Sequence, residues 1–261
     1  MYWVHFWDRH TPMEETMRAL DDAVRAGKIL YIGISDAPAW VVARATTLAE
    51  WRGWTSFAGL QVPYNLLNRD IDRELLLMAE EFGMTVATWW PLASGVLSGK
   101  FARPGGPESA TRIAPETLGV RGHNATRVVQ EVADDVGASA AQVAVAWTRA
   151  RSQAIHPILG VRTVEQLENN LGALDVSLPV DAVQRLEAAT EFTLGFPGDF
   201  IAAMHSGVFG APPQTRRQVT ARRTVRRRRP RPPERMSTRA EAEFVKVDES
   251  SGCYAAIESC S

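Results

Sequence analysis

Five short apolar runs in the chain each end on side chains able to do chemistry. Residues 2–4 lead into His5, and residues 29–34 into Ser35 and Asp36. The run from Phe57 reaches Gln61 and Tyr64, and the run from Met84 reaches Trp89, Trp90 and Leu92. The last, from Ala154, reaches Gly160 and Arg162. Together these supply one titratable imidazole, hydroxyl and amide groups, a broad aromatic face and one guanidinium. Such a rim suits a flat, partly polar aromatic ligand that carries phosphates. An indole stacks on the ring, the amide and hydroxyl grip its edge, and the Arg pairs with phosphate. Each residue also has a plainer role. A lone His in an aromatic strand is often structural, Trp89-Trp90 can be core, and a single Arg is usually a solvated loop charge. What favours a site is their shared position at the ends of the runs.

The segments between the runs have helical character. "TPMEETMRALDDAVRAGK" offers Thr11 as N-cap, Pro12 at the first helical position, Glu14 and Glu15 in the first turn, and Gly27 after the last. Helices are likewise expected over "PAWVVARATTLAEWRG" and "RDIDRELLLMAEEFG", near 123–136 and 139–151, over "TVEQLENNLGAL" and at 180–191. Five strands alternating with helices predict βαβ units and a parallel sheet. Nearly continuous apolar strands predict that both faces of that sheet are covered. In such folds ligands bind at the carboxyl ends of the strands, where the candidate residues lie. No G-x-G-x-x-G follows a strand, so the Rossmann fingerprint is absent and a barrel is favoured over an open doubly wound sheet.

The composition, 45 % hydrophobic and 23 % charged over 261 residues, is that of an ordinary globular protein with room for a sizeable core. No apolar run approaches the roughly 18 residues a membrane span needs, and the N-terminus shows no basic-then-apolar leader. Cys253 and Cys260, the only cysteines, exclude a disulfide framework for the main domain and make a cytoplasmic location the default expectation. A net charge of −1 hides an asymmetry: residues 1–210 carry −7 and residues 211–261 carry +6. The latter are rich in Arg and Pro and poor in large apolar residues. They are expected to be a disordered tail behind a folded domain of residues 1–210.

The stretches "YWVHFWD", "EETMRALDDAVRAGKILYIGISD", "LQVPYNLLNRDIDRELL", "WWPLASGVLSGKF", "PILGVRTVEQLENNLGAL" and "GFPGDF" resemble, in order and spacing, the aldo-keto reductase family. The resemblance runs over nearly all of 1–210. It implies a (β/α)8 TIM barrel, no metal, and NADPH-dependent reduction of small aldehydes and ketones. By it, His5 matches the active-site histidine at the end of the fourth barrel strand, where it orients the carbonyl. Ser35 and Asp36 stand where the family usually has Ser-Asn, and Gln61 where a Gln helps hold the nicotinamide carboxamide. Trp89 takes the place of the aromatic residue that stacks on the nicotinamide, and Leu92 and Ser94 lie in the loop against the pyrophosphate. Gly160, Arg162, Gln166 and Asn170 match the segment that holds the adenosine and its 2′-phosphate. An Arg beside a 2′-phosphate is the usual means of preferring NADP over NAD.

Three departures from the family pattern shape the expectation. The family's catalytic Asp, Tyr and Lys come from the first three strand–helix units, whereas this chain begins at the fourth strand. A partial barrel of strands 4 to 8 is therefore expected, without the Tyr that donates the proton. Asp36 replaces Asn, and a carboxylate accepts from the carboxamide NH2 but cannot donate. The match also stops near Gly210, and a reading-frame change in a GC-rich gene is one account of the Arg-rich text beyond. The expected function is an aldo-keto reductase-type oxidoreductase, impaired in this polypeptide. A non-catalytic cofactor-binding fragment is the alternative. Nucleic-acid binding through residues 216–239 ranks last: clustered Arg suits phosphate, but no aromatic residue interleaves it before Phe244.

Overall fold

The computed structural model describes residues 1–102 and 117–209; the segment 211–261 and the middle of the long loop before residue 122 lie outside them. Five strands form one parallel sheet in chain order: β1 (Tyr2–His5), β2 (Ile32–Ser35), β3 (Gly59–Pro63), β4 (Thr85–Trp89) and β5 (Ile155–Pro157). Helices α1 (Met13–Arg25), α2 (Ala39–Arg52) and α3 (Leu75–Glu81) connect the first four strands. Two helices, α4 (Gly119–Val136) and α5 (Ala140–Ala150), lie between β4 and β5. After β5 come α6 (Val164–Leu171), α7 (Val180–Ala188) and α8 (Gly198–Phe209). This is an α/β fold with the strand order of a partial (β/α)8 barrel, and β1 and β5 are its end strands. No helix among the described residues is long and apolar enough to cross a membrane.

Side chains alternate along each strand. Ile32, Ile34, Leu60, Val62, Val86 and Ile155 project from one face, all buried in the core against the helices. The other face carries Trp3, His5, Ser35, Gln61, Ala87 and Trp89. The register pairs His5 with Ser35, Ser35 with Gln61, and Gln61 with Ala87. On this face the Trp3 indole lies across two neighbouring strands. A Cβ on Gly33 would sit 2.4 Å from the ring, and one on Gly59 2.9 Å from it. Gly33→Ala is expected to destabilise by about 1–3 kcal/mol through overpacking, and to be near neutral in a Trp3→Ala background. Urea midpoints of the four proteins check this; an unchanged midpoint for Gly33→Ala alone would show that the indole moves aside freely.

Local departures from the expected elements have physical causes. Thr11 does not cap α1: Pro12 occupies the N-cap position without a side-chain bond. Asp8 instead accepts from the N–H groups of His10 (2.6 Å) and Thr11 (3.0 Å), forming an Asx turn that leads into the helix. Gly27, just past the helix, has the left-handed φ of +72° that its position suggested. The helix expected over "RDIDRELLLMAEEFG" divides into a 3-10 turn, Asp70–Asp72, and α3, because Asp72 turns inward to a buried partner. α5 opens with a complete capping box between Ser139 and Gln142. α8 was not legible in the sequence, since Phe200, Ile201, Met204 and Val208 are exposed and make no buried stripe.

Candidate functional site

The parallel register sets His5, Ser35 and Gln61 side by side, the first two at the carboxyl ends of β1 and β2 and Gln61 in the middle of β3, two residues before its end. His5 is open to solvent, and its Nδ1 lies 3.5 Å from Asp36 Oδ2. The other Asp36 oxygen accepts from Trp89 Nε1 at 3.4 Å. Asp36 thus bridges the imidazole of β1 and the indole of β4. Its backbone takes a left-handed φ of +47°, a region that Asp and Asn tolerate better than other side chains. Its N–H is fixed by the Gln61 carbonyl at 3.2 Å. The carboxylate that departed from the family pattern is therefore already engaged on both oxygens.

Ser35 is buried beside this bridge, and its Oγ has no hydrogen-bond partner among the described residues. An unsatisfied buried hydroxyl costs about 1–3 kcal/mol. Gln61, its half-buried neighbour in the same row, adds an amide that both donates and accepts.

The loop after β4 stores backbone strain. Trp90, Ala93 and Ser94 have φ of +65°, +48° and +57°, and each left-handed non-glycine residue costs on the order of 1–3 kcal/mol. Hydrogen bonds hold them there: Trp90 Nε1 donates to Ser94 Oγ (2.6 Å), and Asn65 Nδ2 donates to the Trp90 carbonyl (2.9 Å). The Trp89 and Trp90 rings stack with centroids 6.1 Å apart. Leu92 packs on the core. Asn65, fully buried, was missed by the sequence reading. Its Oδ1 accepts from the N–H groups of Leu67 and Asn68, an Asx turn that "YNLLN" signals.

Gly160 and Arg162 follow β5. A Cβ on Gly160 would meet no atom within 4 Å. Arg162 is exposed and its guanidinium has no carboxylate partner among the described residues. Its N–H donates to Gln166 Oε1 at 2.9 Å, while the Gln166 N–H donates to the α6 cap, Thr163 Oγ1. Gln166 therefore shapes the loop under Arg162. Asn170 is buried near the end of α6. Glu165, in the first turn, is held below the usual carboxylate range by hydrogen bonds from its own N–H and the Thr163 hydroxyl.

Tyr64, a strand-end residue in sequence, does not join the site. Its ring is fully buried and its hydroxyl donates to Asp72 Oδ1 at 2.7 Å. Burial first, and then the Asp72 carboxylate, push the phenol far above its ordinary value, so it stays neutral at any working pH.

A parallel sheet with polar and aromatic side chains gathered at the carboxyl ends of its strands has the layout of an α/β-barrel enzyme. The model of the aldo/keto reductase family matches residues 1–191, and the chain belongs to that family. It is 34 % identical over 204 residues to a probable aryl-alcohol dehydrogenase of Saccharomyces cerevisiae, covering 76 % of this chain and 62 % of the yeast protein. To the norsolorinic acid reductase of Emericella nidulans it is 37 % identical over 201 residues, 77 % of this chain and 51 % of that one. An aryl-alcohol dehydrogenase (NADP(+)) of Phanerodontia chrysosporium is 34 % identical over 204 residues, 76 % and 53 % of the two chains. The chain thus spans about half to three fifths of the length of these relatives.

Proposed function

We propose that the chain carries the nicotinamide-nucleotide half of an aldo-keto reductase site, acting with NADP(H) on small carbonyl compounds. The observation that carries this reading is the buried, unpartnered Ser35 hydroxyl in register between His5 and Gln61. Ser35 and Gln61 would hold the carboxamide, and Trp89 would stack on the nicotinamide ring. Leu92 and Ser94 would line the pyrophosphate, and Gly160, Arg162, Gln166 and Asn170 the adenosine end. NADPH, when bound, supplies a hydride to the carbonyl carbon.

His5 would orient the carbonyl oxygen, and Asp36 sets how it does so. With Asp36 Oδ2 3.5 Å from Nδ1, the ring is held by that nitrogen, and a proton on Nε2 would donate to the substrate oxygen. The aryl-alcohol dehydrogenases among the relatives suggest aromatic aldehydes and alcohols as the substrate class.

Cofactor choice is testable by quenching of tryptophan fluorescence. The 261-residue polypeptide is expected to bind NADPH more tightly than NADH. Arg162→Ala should remove that preference, at a loss of about 1.5–3 kcal/mol for the charged hydrogen bond, leaving NADH affinity unchanged. Equal losses for both cofactors would assign Arg162 to the loop's structure instead.

A further inference from the structure

Between the β1–α1 loop and the first turns of α2 lies a cavity of about 260 Å³. None of His5, Ser35, Gln61 or Trp89 lines it. Two of its walls are the indoles of Trp7 and Trp40, with centroids 5.5 Å apart and planes at 82°. Arg9, His10, Thr11 and Arg44 supply its polar groups, and no carboxylate lines it. Of the nearby acids, Asp8 accepts from the N–H groups of His10 and Thr11 and Glu14 pairs with Arg52 at 2.7 Å, while Glu15 stands in the first turn of α1 without lining the cavity. Arg44 has no carboxylate partner among the described residues, and Arg9 rests on the Trp7 ring at 5.7 Å. Trp40, a large apolar group in its own right, is 58 % exposed.

We infer that this cavity binds a single-ring aromatic carboxylate. Cavities for drug-sized ligands run from about 300 to 1,000 Å³, so this one admits one ring and excludes a dinucleotide. Two indoles near a right angle offer a ring one face and one edge, both of them favoured aromatic contacts. The planar guanidinium forks of Arg44 and Arg9 match a carboxylate bidentately. The start of α2, which has no side-chain cap and no acid in its first turn, adds to the same positive field. A neutral aryl alcohol would leave the guanidiniums unused, and inorganic phosphate would leave the indoles bare.

Fluorine NMR of 4-fluorobenzoate over the 261-residue polypeptide tests the inference, because broadening of the ligand line reads binding to a monomer or an assembly alike. Saturable binding is expected, with 4-fluorobenzyl alcohol and acetate each at least about tenfold weaker. Arg44→Gln and Trp40→Leu, both at exposed positions, should each weaken 4-fluorobenzoate about tenfold with the circular dichroism spectrum unchanged; tenfold is about 1.4 kcal/mol. His5→Ala should leave the affinity as it was. Absence of saturable binding would overturn the inference. So would equal binding of the alcohol or of inorganic phosphate, or a loss of affinity in His5→Ala that Arg44→Gln does not reproduce.

Discussion

Replacing Asp72 with Ala is expected to lower stability by about 3–5 kcal/mol, the usual cost of stranding a buried charge. Asp72 accepts from the Tyr64 hydroxyl at 2.7 Å and from Arg69 Nε and Nη2 at 2.9 Å each. Arg151 Nη2 lies 3.7 Å away, and Arg151 reaches Glu187 through Nη1 at 2.6 Å. The whole group packs around the fully buried Trp147, over whose ring both guanidiniums lie within 6.0 Å. Removing the carboxylate leaves the buried Arg69 and the half-buried Arg151 with Glu187 as their one carboxylate partner among the described residues. A domain stable by 5–15 kcal/mol loses a large share of that. Tyr64→Phe deletes a hydroxyl that bonds both Asp72 and Arg151, and should cost about 1.5–3 kcal/mol. Urea unfolding of the three proteins measures both effects. A loss below about 1 kcal/mol in Asp72→Ala would mean that water reaches the cluster and screens it.

NADPH oxidation by the 261-residue polypeptide with a reactive aromatic aldehyde is expected at the uncatalysed background, even where NADPH binds. Hydride transfer to a carbonyl carbon leaves an alkoxide that needs a proton, and a positioned general acid typically contributes about 10²–10⁴-fold. No tyrosine of the described residues is placed to give it. Tyr2 stands three residues before His5 and so projects from the opposite face of β1. Tyr31 precedes β2, and Tyr64 is locked to Asp72 with its phenol pushed far upward by burial. A longer polypeptide that adds the Asp, Tyr and Lys of three preceding strand–helix units is expected to turn over. Turnover by the 261-residue chain that disappears in His5→Ala would overturn the prediction and require another donor.

The sequence by itself determined the order of the five strands and of the helices between them, the parallel sheet and the family. Those properties are written in local signals: apolar runs of strand length, caps such as Ser139 with Gln142, and stops such as Gly27. It also set His5 and Ser35 at strand ends, because the end of an apolar run marks the end of a strand whatever surrounds it, whereas Gln61 stands in the middle of β3, which runs on to Pro63. What only the tertiary structure decided are the directions side chains take beyond those ends, where the period of two no longer applies. Asp36 bridges His5 and Trp89, partners 31 residues before it and 53 after it, through a left-handed turn held by the β3 carbonyl of Gln61. Tyr64, written like its neighbours in the list of strand ends, instead turns into the core because Asp72 and two guanidiniums wait there. The corner between Trp7 and Trp40 likewise exists only because α2 packs beside the β1–α1 loop. Strand periodicity is a property of neighbours in the chain; these contacts are properties of neighbours in space, and packing alone brings them together.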